Sequence, residues 1–471
     1  MNILRSSLKI FSARSLNVII GFIGIVYFAG ILGPEQIGTF FLFQALLAIF
    51  SIFGDIGIDD GLEKRISEKK AAGRYLSSGI ILKLAVMLLV CIIILMFRNY
   101  INQYLGSPLA FLLAIGMILR EGMNTTIKVL NGEHRVGETA ILELIYQVMW
   151  VGLGAIFLYF GYDSRGIIYS LLIGYGCSLI WGIMKISITI RPPSFEFVSS
   201  LFDYSKFQFI SRLGGEVFNW MDIFFIGLFL TQTEVGQYEI AWRVATVVIV
   251  FSRSLSASIF PKISYMNEND NIGKVNDIIP GLITLSVILV IPAFFGTLVY
   301  SQEILKYVFG DEYASARLVL ILLMSYKPFQ AVQAILGRTL LAIDKPDLAA
   351  RATIISIIIN ILANIILIPR FGIAGAAVAT ILASLVSDAL HYWYLSEFIT
   401  IHIQIFNISW SILASLGMTV LLYWLGKLIL IDNLTKLLLM ISLGVCVYAI
   451  LLITYSPIRR QLKVYIHNLR K

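Results

Sequence analysis

The chain has 471 residues, 58% of them hydrophobic and 14% charged, with a mean hydropathy of +0.87 and a formal net charge of +8. A soluble domain carries about 25% charged residues, so composition excludes an ordinary water-soluble enzyme. The positive balance needs no nucleic acid to explain it, because it follows from membrane topology and anionic headgroups.

A spanning helix needs about 20 mostly apolar residues. In chain order such stretches fall near 16–32, 38–58, 75–97, 109–130, 140–160 and 167–190. A second set lies near 207–230, 235–259, 278–300, 318–341, 348–368 and 373–395, and two more near 408–430 and 436–456. They are too long and too continuously apolar for barrel strands. The first is too long for a signal-peptide core, lacks a clear cleavage site, and is expected to be retained. The expected fold is an all-α membrane protein with about 14 transmembrane helices.

The second half echoes the first. Gly33-Pro-Glu-Gln-Ile-Gly38 follows the first span, and Thr231-Gln-Thr-Glu-Val-Gly236 follows the seventh. Tyr159-Phe160-Gly161 before the sixth span matches Arg370-Phe371-Gly372 before the twelfth. Six spans per repeat is an even number, so both repeats enter the bilayer from one side, as parallel repeats do. The predicted organisation is two pseudo-symmetric six-helix lobes, 1–190 and 207–400. A cytoplasmic linker at 191–206 carries Pro192-Pro193, and residues 401–471 form two appended helices and a basic tail. The polar interval Asp59 to Arg74 is expected to form a short amphipathic stretch at the cytoplasmic surface.

Lys and Arg set the orientation. With both termini cytoplasmic, about 23 of the 36 cations fall inside and about 7 outside. The expected location is the plasma or inner cell membrane. Cys91, Cys177 and Cys446 sit far apart in apolar stretches and read as packing residues.

Six cations lie within the spans: Lys83, Arg120, Arg212, Arg243, Arg253 and Lys327. A charge at the bilayer centre costs about 2.5–3.5 kcal/mol on insertion scales. Lys83 and Arg253 lie near a cytoplasmic end, where long side chains snorkel. Arg120 and Lys327 are each about 10 residues from either end of their spans, too deep for that. The seventh span carries Arg212, Glu216, Asn219 and Asp222 on one flank, and the eighth carries Glu239 and Arg243 at i, i+4. These are either neutralised intrahelical pairs or a polar stripe lining a cavity, with cations left over for an anionic group. Asp388 and His391, at i, i+3, offer a proton relay, against the plainer reading of a structural His near a helix end. Pro328, beside Lys327, and Pro292 are candidate kinks. Gly375, Ala379 and Ala383 form a small-residue packing stripe.

No Gly-Lys-Ser/Thr phosphate loop, HExxH or paired-Cys spacing is present, so no cofactor, metal or ATPase activity is expected. The first outer loop is short and lacks the paired acids of a membrane glycosyltransferase or polymerase.

Asn360-Ile-Leu-Ala-Asn364 running into Ile368-Pro-Arg-Phe-Gly-Ile-Ala-Gly-Ala-Ala-Val-Ala-Thr380 resembles the polysaccharide and oligosaccharide flippase family. That family belongs to the multidrug, oligosaccharidyl-lipid and polysaccharide exporter superfamily. Ala29 to Gly38 and Phe309 to Ala316 resemble its outer loops, and Gly54-Asp-Ile-Gly-Ile-Asp-Asp-Gly61 resembles archaeal members. The resemblance covers about 400 residues.

It implies two lobes around a cavity lined by the first, second, seventh and eighth spans. Carried onto this chain, that selects Arg14, Asn17, Gln44 and Asp55, with Arg212, Glu216, Asp222, Glu239, Arg243 and Arg253. Arg120 and Lys327 are added on depth alone. The implied function is flipping of a polyprenyl-(pyro)phosphate-linked oligosaccharide to the outer leaflet by alternating access, without enzymatic chemistry. A lipid-linked saccharide and membrane lipids are the expected partners. H+ or Na+ and glycan assembly enzymes are further candidates, and no nucleic acid is expected. The alternative is a drug or metabolite:cation antiporter of the same superfamily, with Glu216, Asp222 and Asp388 as ion carriers.

Overall fold

A computed structural model describes residues 3–269 and 272–460, with the side chains of residues 3–15, 206–208, 210–214, 216–218 and 272 lying outside the description. The helices are α1 (Ile3–Asp55), α2 (Ile58–Ser67), α3 (Ala72–Met96), α4 (Arg98–Leu105), α5 (Ala110–Gly132), α6 (Val136–Tyr159), α7 (Ser164–Lys185) and α8 (Phe195–Phe229). They continue with α9 (Gln232–Val247), α10 (Val250–Glu268), α11 (Ile272–Phe309), α12 (Arg317–Ala342), α13 (Pro346–Ser396), α14 (Ile405–Leu428) and α15 (Leu434–Thr454). A 3-10 turn, Asp311–Ala316, precedes α12. No strand occurs among the described residues.

Among the described residues nine helices are long and apolar enough to cross a membrane, or eleven if α4–α5 and α9–α10, bent by 94° and 50°, count as one span each. Two of the nine break at a glycine. The Leu16–Asp55 part of α1 has 40 residues, about 60 Å at helical rise, against a hydrocarbon core of about 30 Å. It breaks at Gly33 (φ 72°), a left-handed position, with Pro34 opening the second arm. The 51 residues of α13 break at Gly372 (φ 58°) in the same way. The predicted first–second and eleventh–twelfth span pairs are therefore arms of two broken helices. α11 carries Pro292 inside it and departs from helical geometry at Tyr300. α12 runs through Pro328 as one element. The stretch expected as a linker, 191–206, has no regular secondary structure as far as Ser194 and then enters α8.

Two compact units divide the chain, Met1–Gly236 and Gln237–Lys471. In the first, α6 and α7 pack along each other and α1 lies against α6. Their contact is aromatic: Phe40 stacks on Trp150 at 5.7 Å, and Tyr146 stacks on Tyr175 at 4.8 Å. Offset stacking of this kind adds roughly 0.5–1.5 kcal/mol beyond burial. The two matched loops of the repeat lie backbone to backbone. A Cβ on Gly38 would run into the Gln232 carbonyl oxygen, and one on Gly236 into the Pro34 carbonyl oxygen. Glycine is the residue that permits this approach.

In the second unit, α11, α12 and α13 pack in series around a core of Ile279, Ile283, Ile335 and Leu340. The stripe Gly375, Ala379 and Ala383 is buried, and a Cβ on Gly375 would meet the Leu367 carbonyl oxygen across the α13 break. α14 and α15 are stapled to α11 by tyrosine hydroxyls. Tyr448 donates to Ile288 O (2.6 Å), Tyr300 to Leu422 O (2.9 Å) and Tyr307 to Ile431 O (2.7 Å). A hydroxyl buried in apolar surroundings needs such an acceptor.

Candidate functional site

In the first unit the sequence from Gly54 to Gly61 folds into a tight corner between α1 and α2. Asp55 ends α1 and caps α2: its carboxylate accepts from the backbone N–H groups of Gly57 (3.2 Å) and Asp59 (3.1 Å). Ile56 takes φ 43°, a strained value for a β-branched residue. Gly57 takes φ 81° and faces the Ser205 carbonyl, where a side chain would not fit. Asp59 then turns inward, and Asp60 turns toward Lys128 (2.6 Å), which also holds Glu63 (2.7 Å). Of the amphipathic stretch expected at 59–74, residues up to Ser67 form α2, and half of that helix is core. Ile58, Asp59, Leu62 and Ile66 are buried.

At the centre sits Lys83, 2% exposed. Its Nζ lies 3.0 Å from Asp55 Oδ1, 2.7 Å from Asp59 Oδ2 and 2.9 Å from Glu121 Oε2. It also donates to Thr125 Oγ1 (2.9 Å), and Thr125 Oγ1 donates to Asp59 Oδ1 (2.9 Å). The snorkelling expected of Lys83 is overturned, because the side chain turns inward to meet carboxylates from α1, α2 and α5. The three acids lie close enough to hold a cation, and the ammonium fills that place. Three acids against one base is an uneven count for a buried site. Burial outweighs the attraction of Lys83 and, helped by Asp55 and Glu121, pushes the Asp59 carboxyl up to about 7. Sequence reasoning missed Lys83, Asp59 and Glu121 as one group. No local spacing signals the group, since Asp59 and Glu121 stand 24 and 38 residues from Lys83.

The other candidates of the first unit are scattered. Arg14 lies outside the described side chains, as do Arg212 and Glu216. Asn17 and Gln44 are half-buried, and Asn17 Oδ1 has no hydrogen-bond partner among the described residues. Arg120 is half-buried, within electrostatic reach of Tyr175, and has no ion-pair partner among the described residues. Asp222 is buried.

In the second unit the structure brings several candidates together. Glu239, 5% exposed, accepts Arg243 Nη2 at 2.9 Å, the i, i+4 pair read from sequence. Between them in sequence, Trp242 presents its ring 5.9 Å from Lys327 Nζ. Lys327 is 4% exposed and bonded only to Gln330 Oε1 (3.0 Å), with Arg253 in electrostatic reach. Neither Lys327 nor Arg253 has a carboxylate partner among the described residues, in contrast with Lys83. Beside them opens a cleft of about 340 Å³ lined by Arg253, Arg338, Gln333, Ser256 and His391, with no acid in its wall. Arg253 is exposed to this cleft rather than held against the helix surface.

The proton relay is not formed. His391 Nδ1 lies 2.8 Å from Ser387 O, an atom that only accepts, so Nδ1 carries the proton and bonds its own helix. Asp388 accepts from Tyr326 OH instead (3.3 Å).

The broken helices, the stapled C-terminal pair and a cationic, acid-free cleft define a class: multi-pass α-helical membrane transporters. The fold is that of the lipid II flippase MurJ in its inward closed conformation, with a TM-score of 0.80 at 18% identity, covering 98% of this chain and 100% of that one. An inward-facing multidrug resistance MATE family transporter of the MOP superfamily matches with a TM-score of 0.65 at 12% identity, covering 81% and 94%. Residues 28–318 match the family described as polysaccharide biosynthesis protein, and the chain belongs to that family. A Haloferax volcanii protein named probable low-salt glycan biosynthesis flippase Agl15 is 45% identical over 459 residues, 98% of this chain and 97% of its own. A second protein of that organism, named probable flippase AglR, is 26% identical over 82% of each chain.

Proposed function

We propose that this protein flips a polyprenyl-phosphate- or pyrophosphate-linked oligosaccharide from the cytoplasmic to the outer leaflet, for surface glycan or glycoprotein assembly. The observation that carries this reading is near full-length likeness, at 45% identity, to a relative named as a glycan biosynthesis flippase. The second unit supplies the matching chemistry. Lys327 and Arg253 lack carboxylate partners among the described residues, and the adjoining cleft adds Arg338. Cations so placed receive a phosphate that water no longer solvates. Hydroxyl and amide groups such as Ser256 and Gln333 suit sugar hydroxyls beside it.

The isoprenoid tail stays in lipid while the lobes expected from the repeat rock in alternation. The protein resides in the plasma or inner cell membrane with both termini in the cytoplasm. An inside-negative potential favours outward movement of the anionic head by about 2.3 kcal/mol per charge per 100 mV. A proton or sodium gradient adds to that drive, and glycan assembly enzymes supply the cargo.

Reconstituted vesicles given a labelled lipid-linked oligosaccharide test the proposal. The expected result is translocation above empty vesicles, lost in Arg253→Ala and Arg338→Ala variants that insert normally. Equal transport by those variants would remove the cationic mechanism. No transport by the parent chain under any imposed gradient would remove the function.

A further inference from the structure

A groove of about 490 Å³ opens on the first unit, far from the cationic residues of the second in sequence. α5 packs against both α3 and α7, and the space over it is walled mainly by Leu84 and Met87 of α3, Ile118 of α5, and Leu179 and Ile183 of α7, with Lys83 and Thr125 of the buried charged group also in its lining. Its remaining wall is not a helix. The stretch Ile186-Ser-Ile-Thr-Ile190 leaves α7 through Ile186 in extended backbone and has no helix. Ile186, Ile188 and Ile190 line the groove. Ser187, on the other side, donates to Glu133, and the Thr189 carbonyl packs on Gly73. The alternation turns a connecting segment into an apolar wall.

The groove is open to the hydrocarbon. Leu84, Ile118 and Ile183 are 53%, 44% and 58% exposed, on helices that cross the membrane. Its rim is cationic. Arg191 follows Ile190, donates its backbone N–H to Gly73 O (3.4 Å) and lays its side-chain stem beside Gly73. Arg74 follows Gly73 and is exposed, with its guanidinium over Phe197 at 5.9 Å. Lys185 stands where α7 ends, its ammonium 5.4 Å from the Trp181 ring. Glu133, an acid near this rim, is occupied by Arg135 and Ser187. An apolar slot with basic side chains at its headgroup end complements one kind of molecule, because each interfacial cation attracts an anionic headgroup while the slot takes a chain.

We propose that this groove is a binding site for an anionic phospholipid of the surrounding bilayer. Its hydrocarbon chain lies between α3, α5 and α7, and its phosphate sits at Arg74 and Arg191. The site is independent of the transported cargo. Binding there ties the connecting segment and α3 to the plane of the headgroups.

The test is native mass spectrometry of the delipidated full chain offered equal phosphatidylglycerol and phosphatidylcholine. The parent should retain phosphatidylglycerol preferentially. Arg74→Gln and Arg191→Gln should each lower that preference about fivefold. Ile183→Trp, which fills the slot from its lipid side, should lower retention of both lipids. If the tryptophan variant fails to fold, the two surface arginine variants decide alone. Unchanged preference in both arginine variants overturns the proposal. So does displacement of phosphatidylglycerol by an equal amount of undecaprenyl phosphate, which would assign the groove to the cargo's tail.

Discussion

Two buried lysines live under opposite rules. Lys83 is compensated by three carboxylates, whereas Lys327 has none among the described residues. Removing one partner of a buried ion pair costs about 3–5 kcal/mol, because the other charge is stranded. Lys83→Met should therefore destabilise the purified protein by roughly that amount, read as a large fall in its thermal midpoint in detergent. Lys327→Met strands no acid and should leave the midpoint within a few degrees while abolishing transport. The Asp59 carboxyl also gives the first unit a pH dependence. Its pKa is raised above the ordinary 3.8 to about 7, so the folded state binds a proton that the unfolded state has released. The stabilisation it brings is full below pH 4 and is lost as pH rises through 7. Thermal midpoints at pH 5 and pH 8 should differ in the parent and converge in Asp59→Asn. The depth of Lys327 was readable from its place in a span. The destination of Lys83 was not, because its partners stand 24 and 42 residues away, and one end of a span looks much like another until the helices are packed.

Helices were readable from apolar length; their joints were less so. A run of about 20 apolar residues states that a segment crosses, but not whether two crossings share one broken helix, as in α1 and α13. The loop motifs were legible as a repeat, yet their purpose needed coordinates. Gly38 and Gly236 recur because two backbones touch there. Gly236→Ala should cost about 1–3 kcal/mol, as overpacking does, lowering the thermal midpoint. Gly176→Ala is the control, since a Cβ there meets nothing within 4 Å and removing a helical glycine is favourable. The stapling of α14 and α15 to α11 also escaped sequence reading. Tyr300, Tyr307 and Tyr448 look like ordinary apolar-stretch residues until each hydroxyl is seen to meet a carbonyl.

For the whole molecule, the distribution of cations predicts orientation more firmly than any single site. In a cysteine-free background, Lys70→Cys should react with an impermeant maleimide only after the membrane is opened, and Arg98→Cys should react in intact cells. Both positions are exposed on their unit. The reverse pattern would invert the topology and, with it, the direction of transport. Fold and family were legible because they rest on span length, repeat spacing and turn glycines, all local properties. The candidate site was legible only in part. Glu239 with Arg243 is a pair within one helix, whereas the cleft of Arg253, Arg338 and His391 joins three helices.

The corner at Asp55 and Asp59 also constrains how the protein is made. A chain synthesised from its N-terminus presents these two acids to the translocation machinery before Lys83 exists, and well before Glu121 and Thr125. Until α3 and α5 have emerged, Asp59 lacks the lysine that it is buried against and must wait in water. Nascent chains halted before residue 83 should leave α2 open to protease, and those released after 132 should protect it. Biogenesis of the first unit therefore runs to a clock set by its fifth helix.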